Sequence, residues 1–282
     1  MIELLANNPD MFVGIAALLG LIAGSFLNVV IHRLPIMIER EWQEQCAWLE
    51  GRTPGAQPAY NLVVPRSACP ECGHVIRWYE NVPIVSWLLL RGRCASCRTR
   101  ISLRYPLVEA MTGMAFAGAA WHWGLDLHTI AAWCMLAMLI ALAFIDLDTQ
   151  LLPDNLTLPL AWMGLLVNLD GLITPLDQAV IGAVAGYLSL WLVYQLFKQI
   201  TGKEGMGFGD FKLLAALGAW LGWKLLLPVV MIASVSGALA GLTLMILAGH
   251  ARAKPIPFGP WLTLGGLVGL FWGRELLNYW LG

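Results

Sequence analysis

Eight apolar blocks constrain this chain more than any other feature, running over approximately residues 11–31, 106–123, 129–145, 155–169, 178–197, 210–222, 225–248 and 258–280. A helix needs about 20 apolar residues to cross the hydrocarbon core of a bilayer, and most blocks come close to that length. Composition agrees, at 59% hydrophobic and 12% charged, against roughly 25% charged in a soluble domain. The expected fold is therefore all-α and polytopic, with about eight transmembrane helices. The 210–222 block is short, so it is expected to be tilted, broken or partly re-entrant, which a membrane tolerates only where protein or water lines the segment.

The polar stretch between the first two blocks divides the chain into a first transmembrane helix (1–34), a small cytoplasmic four-cysteine domain (35–104) and a transmembrane core (105–282). The first ten residues lack a basic region and the following block ends without a small-residue cleavage site, so that block is read as a retained helix rather than a signal peptide. Orientation follows from the basic residues. Ten Arg lie between Arg33 and Arg104 against six acidic residues, and the short loops with Lys198 and Lys203, and with Arg252 and Lys254, are basic too. The opposite loops carry Asp126, Asp170 and Asp177, with Lys224 as their one cation. The positive-inside rule places both termini outside and the four-cysteine segment in the cytoplasm. Glycines four apart, at Gly20/Gly24, Gly182/Gly186, Gly218/Gly222, Gly237/Gly241 and Gly265/Gly269, suit closely packed transmembrane helices.

Carboxylates near bilayer depth are costly and point to function. Asp146 closes the third block and Asp210 opens the sixth, after Gly205-Met206-Gly207-Phe208-Gly209. Counting crossings puts both at the cytoplasmic edge and removes Asp126, Asp170 and Asp177, which fall on the other face. Two carboxylates that meet can share a proton and perform acid/base hydrolysis of an amide. Gly207 and Gly209 then admit backbone and substrate closely. The plain alternatives are solvated residues at a helix end for Asp146 and its rival Asp148, and a helix N-cap for Asp154. A nucleotide-binding glycine loop would need a preceding strand and a βαβ unit, and neither is visible.

Cys69-Pro70-Glu71-Cys72 and Cys94-Ala95-Ser96-Cys97 are two CxxC pairs separated by 21 residues, slightly beyond the roughly 15–20 usual for paired zinc knuckles. Four Cys supply a closed tetrahedral site for structural Zn²⁺, and a reducing cytoplasm argues against disulfides. Arg66, Arg91, Arg93, Arg98 and Arg100 offset the charge of four thiolates. His74 is read as a surface residue, and Cys46 and Cys134 as packing residues. Glu109, just inside the second block, is a candidate for the site, for a buried pair with Arg104 or Lys212, or for a group reaching the interface. Asn28 and His32, four apart on the first helix, are read as satisfying neighbouring helices.

Taken together, these motifs resemble the type IV prepilin peptidases of type IV pilus and type II secretion systems. The likeness runs through Gly24-Ser25-Phe26-Leu27-Asn28, His32-Arg33-Leu34-Pro35, both CxxC pairs, Asn81-Val82-Pro83, Arg104-Tyr105-Pro106-Leu107-Val108-Glu109, Ile145-Asp146-Leu147-Asp148, Leu151-Leu152-Pro153-Asp154 and Gly207-Phe208-Gly209-Asp210-Phe211-Lys212. The family is similar to other GxGD aspartyl proteases. The resemblance implies an inner-membrane enzyme that cuts the basic leader of prepilins or pseudopilins after a Gly, then methylates the new N-terminus from S-adenosylmethionine. It implies Asp146 and Asp210 as catalytic, in preference to Asp148, and the cysteines as those of the zinc-bearing members. Gly207, Gly209 and Glu109 are the expected substrate-binding residues. No S-adenosylmethionine motif is visible, and no nucleic-acid partner is expected. The rivals are an ion or metal transporter lined by the carboxylates, a membrane methyltransferase without proteolysis, and a presenilin-type protease. No PAL motif near Pro255-Ile256-Pro257 supports the last.

Overall fold

A computed structural model describes residues 5, 7–53, 55, 58–203, 205–248 and 257–281. Arg252 and Lys254, used above for orientation, lie outside the described residues. Each apolar block holds a helix: α1 (Pro9–Leu49), α3 (Arg104–Trp123), α4 (Leu127–Thr149), α5 (Asp154–Val167), α6 (Leu176–Thr201), α7 (Phe208–Leu221), α8 (Leu226–Ala248) and α9 (Gly259–Leu281). A short α2 (Val85–Leu89) lies in the polar segment, where isolated bridges take the place of named strands. By length and apolarity, α1, α4, α6 and the run Trp223–Leu247 can cross a membrane. α5 and α7 have 14 residues each, which at 1.5 Å per residue is about 21 Å and short of the ~30 Å hydrocarbon core.

The chain forms two compact units, residues 1–129 and 130–282. In the first, α1 packs on α3 through small residues. A methyl on Gly20 would lie 2.6 Å from the Thr112 carbonyl oxygen, and one on Gly24 would lie 2.7 Å from Glu109 Cα. That approach is possible only without side chains, and it brings the polar residues of the two helices together. Asn28 Nδ2 donates to the Tyr105 carbonyl at 3.0 Å, the inter-helix role expected for it.

α1 does not stop at residue 34. It runs through Pro35 to Leu49, because the residues beyond are good helix formers and the loop 58–65 folds back onto it. Buried Arg33 donates to the carbonyls of Asn61 at 2.8 Å and Pro65 at 2.6 Å. The Arg40 guanidinium lies 4.3 Å from the Tyr60 ring centroid, a cation–π contact. Cys46 lies on this extension and is exposed, not packed.

In the second unit α7 is the central helix, buried along almost its whole length. On one side lies α6: a methyl on Gly182 or Gly218 would overlap the other residue's carbonyl, and one on Gly186 would sit 2.6 Å from the Leu214 oxygen. On another lies α5, where buried Trp220 donates its indole N–H to the Leu160 carbonyl at 2.8 Å. α9 closes a third side, Gly266 against Leu217 and Gly269 against Leu221. The last carbonyls of a helix have no intrahelical donor. Asn168, fully buried, meets that need by donating to Ala219 at 2.9 Å and Trp220 at 3.0 Å while accepting from the amides of Ile173 and Thr174. The short block is thus lined by protein, as its length requires.

Candidate active site and metal centre

Asp146 stands in the last turn of α4. The helix ends when Gln150 enters the left-handed region (φ 56°) and its amide bonds back to the Asp146 carbonyl at 2.9 Å. Residues two apart on a helix face nearly opposite ways. Accordingly Asp146 is 5% exposed while Asp148 is exposed. Asp146 Oδ2 accepts the Gly259 amide at 2.9 Å, so the start of α9 reaches the end of α4.

Asp210 lies in the first turn of α7, 9% exposed. Gly207 is the N-cap, in extended conformation, and its amide donates to the Asp210 carboxylate. That is the reciprocal half of a capping box, three residues from the cap. The turn is fixed from the side by an aromatic cluster, with Tyr194–Phe208 centroids 5.4 Å apart and Tyr194–Phe211 5.7 Å. Gly209 is pressed by Leu152, whose Cβ lies 2.7 Å from where a Gly209 methyl would be. Among the described residues, nothing lies within 4 Å of the same position on Gly207, which is exposed. Leu152 lies against both Gly209, which precedes Asp210, and Gly259, which binds Asp146, so the end of α4 and the start of α7 meet around one leucine.

Asp154 is not an N-cap. Pro153 takes that position, and Asp154 opens α5 with its carboxylate on Lys212 Nζ, at 2.6 and 2.8 Å. Lys212 therefore pairs with Asp154. Glu109 is 8% exposed in the first unit, and accepts the Ile84 amide at 2.7 Å and the Ser25 hydroxyl. Ile84 is held at φ 59°, a conformation rare for a β-branched residue.

The four cysteines converge. Their sulfurs all lie within 4.8 Å of one another, with Cys69–Cys97 at 3.8 Å and Cys72–Cys94 at 4.0 Å. Each CxxC pair makes the same turn. Cys69 N–H donates to His74 and Cys94 N–H to Thr99, while Gly73 and Arg98, both at positive φ, donate back to Cys69 and Cys94. Amides of Cys97 and Ser96 aimed at the Cys94 sulfur push that thiol down to about 6. Amides directed at sulfur favour thiolate, the form that binds metal. His74 is not a fifth ligand candidate, for its Nε2 faces Glu80 at 3.0 Å.

Three elements of this arrangement carry no local sequence signal. Gly259 looks only like the start of a block, Lys212 like a charge beside a motif, and Asn168 like a helix end. Each finds its partner across many residues.

A family model described as the bacterial peptidase A24 N-terminal domain matches residues 18–123, and one described as the type IV leader peptidase family matches residues 133–242. Among similar proteins is a prepilin leader peptidase/N-methyltransferase of Aeromonas hydrophila, 52% identical and covering 100% of this chain and 98% of the relative. Proteins of the same description from Stutzerimonas stutzeri and Pseudomonas aeruginosa are 50% and 49% identical, covering 99% and 100% of this chain and 97% of each relative. No solved structure matches the chain.

Proposed function

The chain belongs to the type IV leader peptidase family, and from that premise we propose that it cleaves prepilins with Asp146 and Asp210 as its catalytic pair. It is an enzyme of two activities, a prepilin leader peptidase and an N-methyltransferase, as its relatives are named. The leader is cut from a prepilin or pseudopilin after a glycine, and the new N-terminal residue is methylated with S-adenosylmethionine as donor. The transporter reading finds no support among the relatives compared.

One observation carries the assignment of the pair. Among the described residues of the second unit, Asp146 and Asp210 are the buried carboxylates, and Leu152 lies against a glycine beside each of them, Gly259 and Gly209. Two carboxylates that share a site share a proton readily. One carboxylate takes a proton from water as the oxygen attacks the scissile carbonyl, and the other donates its proton to the carbonyl oxygen. Collapse of the tetrahedral intermediate breaks the C–N bond, with a proton passing to the leaving amine. Gly207 and Gly209 lie beside the substrate backbone, and open space at Gly207 suits that role. Glu109 is assigned to substrate binding, its buried carboxylate complementing a basic leader.

The four cysteines fit Zn²⁺. Sulfurs about 2.3 Å from a tetrahedral ion stand roughly 3.8 Å apart, which is the spacing of Cys69 and Cys97. Cys69, Cys72, Cys94 and Cys97 would hold it as a structural ion, leaving no position for water. The remaining helices complete eight crossings, with the knuckle and active site on the cytoplasmic side of the bacterial inner membrane.

The test is cleavage of a synthetic prepilin by the purified protein. Asp146→Asn and Asp210→Asn should each be inactive, and Asp148→Asn close to wild type. Full cleavage by either of the first two would overturn the assignment.

A further inference from the structure

Asp146 stands at an unfavourable place for a carboxylate. The C-terminal end of a helix presents unpaired carbonyls and the negative end of the helix dipole. Asp210, in the first turn of α7, has the opposite setting and the Gly207 amide besides. What compensates Asp146 comes from elsewhere in the chain. Gly259, 113 residues on, donates its amide to Oδ2 at 2.9 Å. That amide is one of the first in α9, where N–H groups lack an intrahelical acceptor and negative charge is favoured. The next residue, Pro260, has no N–H to offer, so within this step of the chain the donor is position 259.

Position 259 is also shaped around the carboxylate. A methyl there would lie 2.6 Å from Asp146 Oδ2 and 3.1 Å from Cγ, with Leu152 Cδ2 at 3.2 Å. Leu152 is the same side chain that presses on Gly209, next to Asp210. One leucine thus sits between the glycine that holds Asp146 and the glycine that precedes Asp210. The three atoms nearest an added methyl at 259 thus belong to the carboxylate and to Leu152.

We propose that Gly259 is a positioning residue of the peptidase reaction, a second glycine requirement of the site alongside Gly207 and Gly209. Its amide fixes the Asp146 carboxylate, and its lack of a side chain leaves room for that contact. The inference rests on the reading of Asp146 and Asp210 as the catalytic pair. It concerns cleavage alone.

The test uses full-length protein in lipid nanodiscs with a synthetic prepilin, and compares wild type, Gly259→Ala, Leu152→Ala, Gly259→Ala/Leu152→Ala and Asp146→Asn. A misplaced catalytic group costs kcat, whereas lost substrate binding raises KM. Gly259→Ala should lower kcat by about tenfold or more with KM unchanged, and should still methylate a pre-cleaved pilin peptide. Adding Leu152→Ala gives the new methyl room on its other side and should restore part of the lost kcat. Wild-type kcat in Gly259→Ala, or an equal loss of cleavage and methylation that Leu152→Ala does not relieve, overturns the inference. Asp146→Asn separates the two ideas. Cleavage by that variant sinks the catalytic pair itself, whereas an inactive Asp146→Asn beside a fully active Gly259→Ala sinks only the role of Gly259.

Discussion

Lys212 reaches across 58 residues to clamp Asp154 with both carboxylate oxygens, tying the first turn of α7 to the first turn of α5. The pair is close to the site without belonging to it, two residues beyond Asp210. With side chains 31% and 52% exposed, it is largely solvent-screened, and such pairs contribute about 0.2–1 kcal/mol. A double-mutant cycle of Lys212→Ala and Asp154→Ala, read by thermal unfolding, should give a coupling in that range. Each single variant should keep most of its cleavage activity. A loss as deep as that of Asp210→Asn would move Asp154 into the catalytic machinery.

Gly182 and Gly218 meet backbone to backbone, and neither neighbour can yield as a flexible side chain would. Gly218→Ala should force α6 and α7 apart, costing about 1–3 kcal/mol as overpacking does. Because α7 carries Asp210 in its first turn, cleavage should fall with stability. Gly14→Ala, in α1 and with nothing among the described residues within 4 Å of the added methyl, is the control, and should leave cleavage unchanged and stability unchanged or slightly raised, as for an unhindered helix glycine.

Removing two ligands of the knuckle, in Cys69→Ser/Cys94→Ser, should abolish bound zinc, read by elemental analysis of the purified protein. The two turns would lose the ion proposed to join them, so residues 60–103 should become sensitive to protease while the membrane helices stay resistant. Binding of an ion to a folded site is itself folding free energy. A variant without zinc yet as protease-resistant as wild type would show that the turns hold by themselves.

Acid should loosen the same domain through Glu80. The Arg77 amide, and after it His74, hold the Glu80 carboxyl below its ordinary value of 4.5. A carboxyl lowered in the folded state stabilises above its unfolded value, and that contribution disappears as pH falls through the folded one. Glu80→Gln should therefore lower the Tm of wild-type protein at pH 7, and the difference should shrink as pH drops below about 4.5. A constant difference across that range would mean that shape, not charge, is what Glu80 contributes.

How much of this was legible in the sequence depended on how local the signal was. The knuckles could be read because each turn closes within a few residues, Cys69 to His74 and Cys94 to Thr99. Asp210 could be read because its support, Gly207 and Gly209, is adjacent. Asp146 and Asp148 could be separated only by the motif they sit in, since periodicity places them on opposite faces without saying which face is buried. Gly259, Asn168 and the Lys212–Asp154 pair escaped because their meaning lies in a partner tens of residues away. The continuation of α1 to Leu49 escaped for a different reason: the polar residues past 34 look like the start of a separate domain. In the fold the helix goes on, with Arg33 and Arg40 anchoring the returning loop to it.

The enclosure of α7 by α5, α6 and α9 has a consequence for the bilayer itself. A transmembrane helix responds to membrane thickness by tilting or by deforming the lipid around it, because its sides are wet by acyl chains. α7 has almost no such side. Asp210 therefore rides on a segment whose height is set by carbonyls, glycines and an asparagine rather than by lipid. The enzyme can change membranes, or meet one whose thickness shifts with growth temperature, while its outer helices absorb the mismatch and this carboxylate stays level.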